Sequence, residues 1–258
     1  MTTIQNVIDD ILNQVKDAPF DGSVDTVKAG DPEVEVTGIV STFMATHLVL
    51  QRAVELGANF VITHEPTFYN HLDETDWLAD DPVYAAKRAY LDEHGLVVWR
   101  FHDHWHAYEP DGIYIGVLDR LGWTDLADGA FVTLPKPVMF SEVIQHVADR
   151  LGVESPRVIG DPAMPVTTVG ILVGAPGGRV QISLLPHVDV LIAGEVAEWE
   201  TTEWVRDSIT QGSPKGLMVA GHQRSEEAGM DYLAQWLRER QPTIPIWSVS
   251  SGDPFSLG

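Results

Sequence analysis

The stretch NFVITHEP (59–66) decides the fold, because a short apolar run ends there and a polar cluster begins at once. Two other stretches share this pattern, namely LVVWRFHDHWH (96–106) and LMVAGH (217–222). A short apolar run bounded by turn signals is typical of a buried strand. Ligand sites of α/β sheets gather at the carboxyl ends of strands, so we predict that the three polar clusters converge on one site.

Outward from these strands, helical and extended patterns alternate along the chain. The predicted helices cover residues 3–16, 46–56, 82–94, 113–121, 141–151, 196–209 and 225–240. The predicted strands cover residues 34–41, 59–63, 96–101, 130–135, 169–174, 188–192, 217–220 and 244–249. Residues 17–33 and 69–82 are predicted to be loops. Ser141 is predicted to cap the helix that begins there, and capping by Ser225 is the alternative interpretation of the segment 221–227.

This alternation predicts an α/β fold with largely parallel or mixed sheets. We expect two related α/β halves, 1–125 and 126–258, packed into one compact body. The candidate ligands come from both halves, so both are expected to contribute to one metal site.

Composition limits the chemistry and the partners. Cysteine is absent, so any metal ligands must be imidazoles and carboxylates. The net charge of −22 disfavours a nucleic-acid partner, since phosphate binding needs a basic surface. No apolar run reaches membrane-spanning length and the N-terminus resembles a first helix more than a signal peptide. We therefore expect no membrane partner and a cytoplasmic location.

The first polar cluster is the adjacent pair His64 and Glu65. In a regular strand the two side chains would point to opposite faces, but a turn at the strand end lets both face one pocket. A strand-end cap or a surface ion pair is the alternative interpretation. The pair alone favours that alternative.

The second cluster contains His102, His104 and His106, each two residues from the next. If the strand continues, all three lie on one face and could bind a metal. A histidine-rich polar loop is an equally good interpretation. His102 and His104 can instead act as groups that orient a ligand.

The third cluster places His222 and Glu226 four residues apart, on the same side of a first helical turn. An imidazole and a carboxylate at this spacing can hold one ion, or the carboxylate can bridge two. Helix capping, with acidic residues complementing the helix dipole, is the alternative.

With these segments assembled, the chain resembles the Nif-three-like dinuclear metal-centre family, also labelled type-two GTP cyclohydrolase I. The resemblance covers nearly the whole chain and lies in the order and spacing of VTGIVSTFMAT (36–46), VLQRAVELGANFVITHEP (49–66), WRFHDHWH (99–106), DVLIAGEV (189–196) and AGHQRSEEAGM (220–230). It implies two divalent ions, zinc, manganese, iron or nickel, held by His64, Glu65, His106, His222 and Glu226. It also implies a homo-oligomer, typically a ring-like hexamer, and the short form of the family without an inserted domain.

Two ligand positions depart from the family pattern. Glu65 stands where the family usually has histidine, and His106 stands where it usually has aspartate. Together the two exchanges leave three histidines and two carboxylates, with the same formal charge. We interpret them as a retained site with exchanged ligand positions.

Such a site predicts a metal-dependent hydrolase of an unknown small molecule, with a nucleotide or phosphate ester among the candidates. The family label suggests GTP, although the sequence contains no phosphate-loop pattern. Asp103 or Glu109 is the predicted general base. The alternatives are a non-catalytic metal-binding scaffold or metal-handling oligomer, and a structural oligomer with an empty site.

Overall fold

The computed structural model describes residues 1–255 of the chain, which form two compact units. Unit 1 comprises residues 1–113 and 229–252, and unit 2 comprises residues 114–228 and 253–255. Across the described residues, no helix has the length and apolar character needed to cross a membrane.

The described helices and strands alternate along most of the chain. The helices are α1 (Ile4–Leu12), α2 (His47–Glu55), α3 (Pro82–Glu93), α4 (Asp103–Ala107), α5 (Gly112–Leu121), α6 (Phe140–Leu151), α7 (Gly178–Leu184), α8 (Glu203–Thr210) and α9 (His222–Arg240). The strands are β1 (Val27–Ala29), β2 (Ile39–Thr42), β3 (Phe60–Thr63), β4 (Val97–Arg100), β5 (Ala127–Asp128), β6 (Phe131–Met139), β7 (Arg157–Ile159), β8 (Pro165–Leu172), β9 (Val190–Ala193), β10 (Gly216–Val219) and β11 (Ile246–Ser248).

Each unit is built on one sheet. The sheet of unit 1 has the order β1-β4-β3-β2-β11, in which only β1 runs antiparallel to its neighbour. The sheet of unit 2 has the order β5-β6-β8-β9-β10-β7, in which β8, β9 and β10 are parallel and the outer strands are antiparallel. The predicted α/β fold with mixed sheets is confirmed.

The apolar runs that predicted the central strands form the two cores. Every residue of β2, β3 and β4 is buried in unit 1, as is every residue of β9 and β10 in unit 2. Helix α2 covers the first sheet with Leu50, which is fully buried. Truncating a side chain of this kind to alanine typically costs about 2–5 kcal/mol of unfolding free energy.

Some local predictions are wrong. Strand β2 begins at Ile39, because residues 34–36 bond instead to the N-terminal segment through Val34 O and Val36 N. The predicted loop 17–33 contains β1. Ser141 does not cap α6, since the helix begins at Phe140 and the Glu142 carboxylate accepts the Met139 amide.

Ser225 does not cap a helix either. Helix α9 begins three residues earlier, at His222, so Ser225 lies inside its first turn. Its hydroxyl donates to the His222 carbonyl at 2.7 Å and accepts the Gly174 amide at 3.0 Å. The hydroxyl therefore links the helix to the loop after β8.

Candidate metal centre

In unit 1, the neighbouring parallel strands β3 and β4 have their carboxyl ends side by side. Strands β3 and β4 pair in register, with Thr63 opposite Arg100. His64 and His102 therefore follow adjacent strand ends, as the sequence predicted. Their rings stack with centroids 4.6 Å apart.

Three imidazoles form the unit 1 cluster, which comprises His64, His102 and His106. One ring nitrogen from each lies within 4.8 Å of the others. His64 is buried, whereas His102 and His106 are partly exposed. Three imidazole nitrogens this close together could hold a transition-metal ion.

The segment HDHWH is helical, so the prediction that His102, His104 and His106 share one face of a continuing strand is wrong. Helix α4 spans Asp103–Ala107 with His102 at its N-cap position. Residues four apart lie on the same side of a helix, which brings His102 and His106 together. His104 is turned away: its Nδ1 bonds to Asp25 and its Nε2 to the Phe20 amide.

Each imidazole of the unit 1 cluster is held through Nδ1. His64 Nδ1 lies 3.3 Å from the Phe101 carbonyl, and His102 Nδ1 lies 2.9 Å from Asp103 Oδ1. His106 Nδ1 lies 2.9 Å from Asp111 Oδ2. An oxygen at one ring nitrogen fixes the tautomer and the ring orientation of metal-ligating histidines, so Nε2 is the atom of each ring that could hold a metal here.

Asp103, a predicted general base, has both carboxylate oxygens engaged. Besides His102 at Oδ1, its Oδ2 accepts the Ser23 hydroxyl at 2.9 Å and the Val24 amide at 3.1 Å. Burial alone would raise the pKa of Asp103, but the hydrogen bonds from His102, Val24 and Ser23 together lower it. This geometry suits a group that orients His102. The other predicted base, Glu109, is exposed.

Glu65 is buried beside the cluster. A carboxylate oxygen of Glu65 lies within 4.8 Å of a His64 ring nitrogen, and Oε1 lies 3.7 Å from His102 Nε2. The fully buried guanidinium of Arg100 approaches Oε2 at 3.6 Å and donates to the His64 carbonyl at 3.1 Å. A buried carboxylate is costly without a charged partner, and the Arg100 guanidinium is the cationic neighbour that the structure gives Glu65.

In unit 2, three parallel strands end in glycine turns. Gly174 follows β8, Gly194 follows β9 and Gly221 follows β10. The Glu195 amide donates to the Gly174 carbonyl at 2.8 Å, and the Gly221 amide to the Gly194 carbonyl at 3.1 Å. These bonds tie the turns together and place His222 at the start of α9.

The unit 2 cluster comprises His222, Glu226 and Glu195. His222 Nε2 lies 3.1 Å from Glu226 Oε2, and His222 Nδ1 lies 3.2 Å from Glu195 Oε1. Glu226 is buried and His222 is partly exposed. The predicted pairing of His222 with Glu226 on one helical turn is present in the structure, and Glu195 orients the ring from its other side.

Gly174 leaves room for this cluster. It adopts φ +61°, and a Cβ atom there would lie 2.2 Å from Glu226 Oε1 and 3.2 Å from His222 Nε2. Only glycine accommodates both the left-handed backbone and the close approach of the carboxylate. The donor sets of both units, imidazoles and carboxylates without thiolates, fit zinc, manganese, iron or nickel.

Sequence reasoning missed three residues around the clusters. Asp111 and Glu195 orient His106 and His222, and Asp25 holds the start of α4. The sequence could have indicated Asp111 and Glu195. Asp111 precedes a predicted helix, and Glu195 follows a predicted strand, as His222 does. Nothing in the sequence indicated Asp25, since it lies 77 residues before His102 in a predicted loop.

The family profile described as Duf34/NIF3 (NGG1p interacting factor 3) matches residues 2–254. A protein of Clostridium perfringens named GTP cyclohydrolase 1 type 2 homolog is 23% identical over 271 residues, covering 100% of this chain and 99% of the relative. A protein of Vibrio cholerae with the same name is 26% identical over 218 residues, covering 80% and 82%.

Solved structures share the fold. A Bacillus cereus protein related to NIF3 superposes with a TM-score of 0.82 at 13% identity, over 100% of this chain and 99% of that one. The protein ybgI, of unknown function, gives a TM-score of 0.78 at 23% identity, over 98% and 100%. Since the family profile spans nearly the full length, this chain belongs to the Duf34/NIF3 family.

Proposed function

We propose that this protein binds two divalent metal ions and uses them to hydrolyse a small-molecule substrate. The observation that carries the proposal is the carboxylate held against Nδ1 of His102, His106 and His222. Metal-ligating histidines almost always have a carboxylate, a backbone carbonyl or a water at their second ring nitrogen. The ligands we assign are His64, Glu65, His106, His222 and Glu226, with His102 as an additional imidazole.

Within this proposal, the residues of both clusters would hold the two ions. A pair of divalent ions would supply Lewis acidity and lower the pKa of water. The residues of this chain position the ligands: Arg100 lies against the buried Glu65 carboxylate, while Asp103 and Asp111 orient the imidazoles of His102 and His106. We further propose a ring-like hexamer in the cytoplasm, as the family resemblance implies.

The substrate class we propose is a nucleotide or another phosphate ester. Support comes from the names of the relatives, which refer to GTP cyclohydrolase. The test is a panel of GTP, other nucleoside triphosphates and aryl phosphate esters, assayed with protein loaded with zinc, manganese, iron or nickel. Hydrolysis should disappear in Glu226→Gln and persist in the neighbouring control Glu227→Gln. Equal loss in both variants, or activity that survives complete metal removal, would overturn the proposal.

A non-catalytic metal-binding scaffold is the second candidate. The observation that favours it is that both oxygens of Asp103 are engaged, which leaves this carboxylate poorly placed to take a proton from water. Tight binding of two ions with no turnover across the panel would support the scaffold.

A further inference from the structure

Asp25 lies near the unit 1 cluster and accepts four hydrogen bonds, although it touches none of the assigned ligand nitrogens. Its side chain is 0% exposed. Oδ1 accepts the amides of His102 and Asp103 at 2.8 and 3.0 Å. Oδ2 accepts the His104 amide at 2.9 Å and His104 Nδ1 at 2.7 Å. One carboxylate thus accepts three successive amides at the start of α4 and one imidazole.

His104 completes the attachment from the other side. Its Nε2 accepts the Phe20 amide at 3.0 Å, so the Nδ1 atom carries the proton that Asp25 accepts. The ring also stacks on Phe20, with centroids 4.1 Å apart and planes inclined by 6°. Both nitrogens are therefore used to join α4 to residues 20–25.

Helix α4 needs this support because it has only five residues. Isolated helices of such length are unstable in water, and the N-cap residue His102 contributes no side-chain cap. Asp25 supplies the missing acceptor and the negative charge that a helix N-terminus favours. The orientation of His102 and His106 relative to each other depends on this single turn of helix.

We infer that Asp25, together with His104, is a positioning residue of the metal centre. The inference rests on the proposed function, because it assigns what holds two of the imidazoles in a binding geometry. It adds an attachment point outside the ligand motifs, in the segment between α1 and β1.

The test measures the dissociation constants of zinc and cobalt(II) for the full-length protein and for Asp25→Asn. Asparagine keeps one oxygen, so two of the four donors lose their acceptor in either orientation of the amide. We expect binding to weaken about 10- to 100-fold, the range typical of groups that orient metal ligands. The visible absorption of bound cobalt should also change, because it reports the ligand geometry.

The control is Asp189→Asn in unit 2, where Asp189 accepts the amides of Thr167 and Thr168 at 2.8 Å. This variant should lose stability but keep the zinc and cobalt constants of the wild type. A second variant, His104→Phe, keeps the stack on Phe20 and loses both hydrogen bonds of the imidazole. Substitutions of two residues that act through one contact have non-additive effects. The double variant Asp25→Asn/His104→Phe should therefore bind zinc and cobalt no more weakly than the weaker-binding of the two single variants.

The outcomes separate the two proposals. Wild-type protein that binds neither zinc nor cobalt would overturn the proposed function and this inference with it. Asp25→Asn decides where it folds, and His104→Phe decides where it does not. If the wild type binds metal, unchanged constants and an unchanged cobalt spectrum in the deciding variant would overturn only the role of Asp25. Weaker binding in that variant, with Asp189→Asn unaffected, supports it.

Discussion

At the scale of single residues, the candidate centre depends on groups that have no metal-binding chemistry of their own. Gly174 is the clearest case, because its missing side chain makes space for the Glu226 carboxylate. The nearest obstacle to a Cβ atom is the end of a flexible side chain. Substitution there should therefore displace the carboxylate more than the backbone.

We predict that Gly174→Ala weakens metal binding at least 10-fold, as loss of ligand geometry typically does. The matched control is Gly212→Ala, since Gly212 also has a left-handed backbone, with φ +83°, and no atom within 4 Å of a Cβ. Both variants should lose about 1–2 kcal/mol of unfolding free energy from backbone strain. Calorimetric zinc titration and chemical unfolding measure the two effects. Equal zinc affinity in both variants would contradict this role for Gly174.

Lys87 allows a pH prediction away from the metal ligands. It is 5% exposed, donates to the Thr67 carbonyl at 2.7 Å and faces the rings of Phe68 and Tyr69. Burial lowers its pKa to about 8, against an opposing effect of Asp73. Between this value and the ordinary 10.5, the unfolded chain binds a proton that the native protein has released.

The free energy of unfolding of the wild type should therefore rise with pH across that window, relative to Lys87→Met. The expected change is about 3 kcal/mol in full, since one pKa unit corresponds to about 1.4 kcal/mol. Guanidinium unfolding at a series of pH values from 7 to 10.5 measures it. The control is Lys16→Met, which removes an exposed lysine, and its unfolding free energy should change with pH in parallel with that of the wild type. If the unfolding free energy of Lys87→Met also changed in parallel with that of the wild type, the prediction would be refuted.

At the scale of elements, the apolar runs predicted the central strands, because burial on both faces leaves an unbroken hydrophobic signal. Strand β3 (FVIT) and strand β10 (GLMV) are examples. Edge strand β1 was not predicted, since only one of its three residues is buried. Helix α4 was not predicted either, because its five residues have no periodicity of their own and are held by Asp25, far away in sequence.

The candidate ligands His64, Glu65 and His222 could be proposed from the sequence for the same reason, because they follow strand ends that the apolar runs mark. The partners of the imidazoles were not proposed as such, because Asp103, Asp111 and Glu195 meet the rings only once the loops have folded. Local sequence predicts which side chains reach a sheet edge. It does not predict which oxygen each imidazole will face.

Asp111 links two elements and gives a prediction at this scale. Its Oδ2 faces His106 in α4, and its Oδ1 accepts the Ile113 amide at 2.8 Å in the first turn of α5. Asparagine caps helices as well as aspartate but lacks the charge. We expect Asp111→Asn to weaken zinc binding about 10- to 100-fold with little change in the unfolding free energy.

The comparison variant Asp111→Ala should lose zinc binding and also about 1 kcal/mol of stability, because the cap is removed as well. Zinc titration and urea unfolding of the two variants separate these effects. Wild-type zinc affinity in Asp111→Asn would show that the carboxylate does not orient His106.

At the scale of the whole molecule, the net charge of −22 dominates the long-range electrostatics. Self-repulsion of like charges destabilises a compact state, and salt screens it. The midpoint of thermal unfolding of metal-free protein should therefore rise as potassium chloride increases from about 0.01 M to about 0.15 M, where the Debye length falls from about 30 to about 8 Å. A midpoint that falls over this range would mean that attractive ion pairs outweigh the repulsion.

The central claim is that this protein binds two divalent metal ions through the unit 1 cluster and the unit 2 cluster. The most direct measurement is the zinc content and zinc dissociation constants of the wild type beside two double variants, His102→Ala/His106→Ala and His222→Ala/Glu226→Ala. We predict about two equivalents per chain in the wild type, and weaker or lost binding of at least one ion in each double variant. A wild type without bound zinc, or double variants that keep two ions at the original dissociation constants, would contradict the claim.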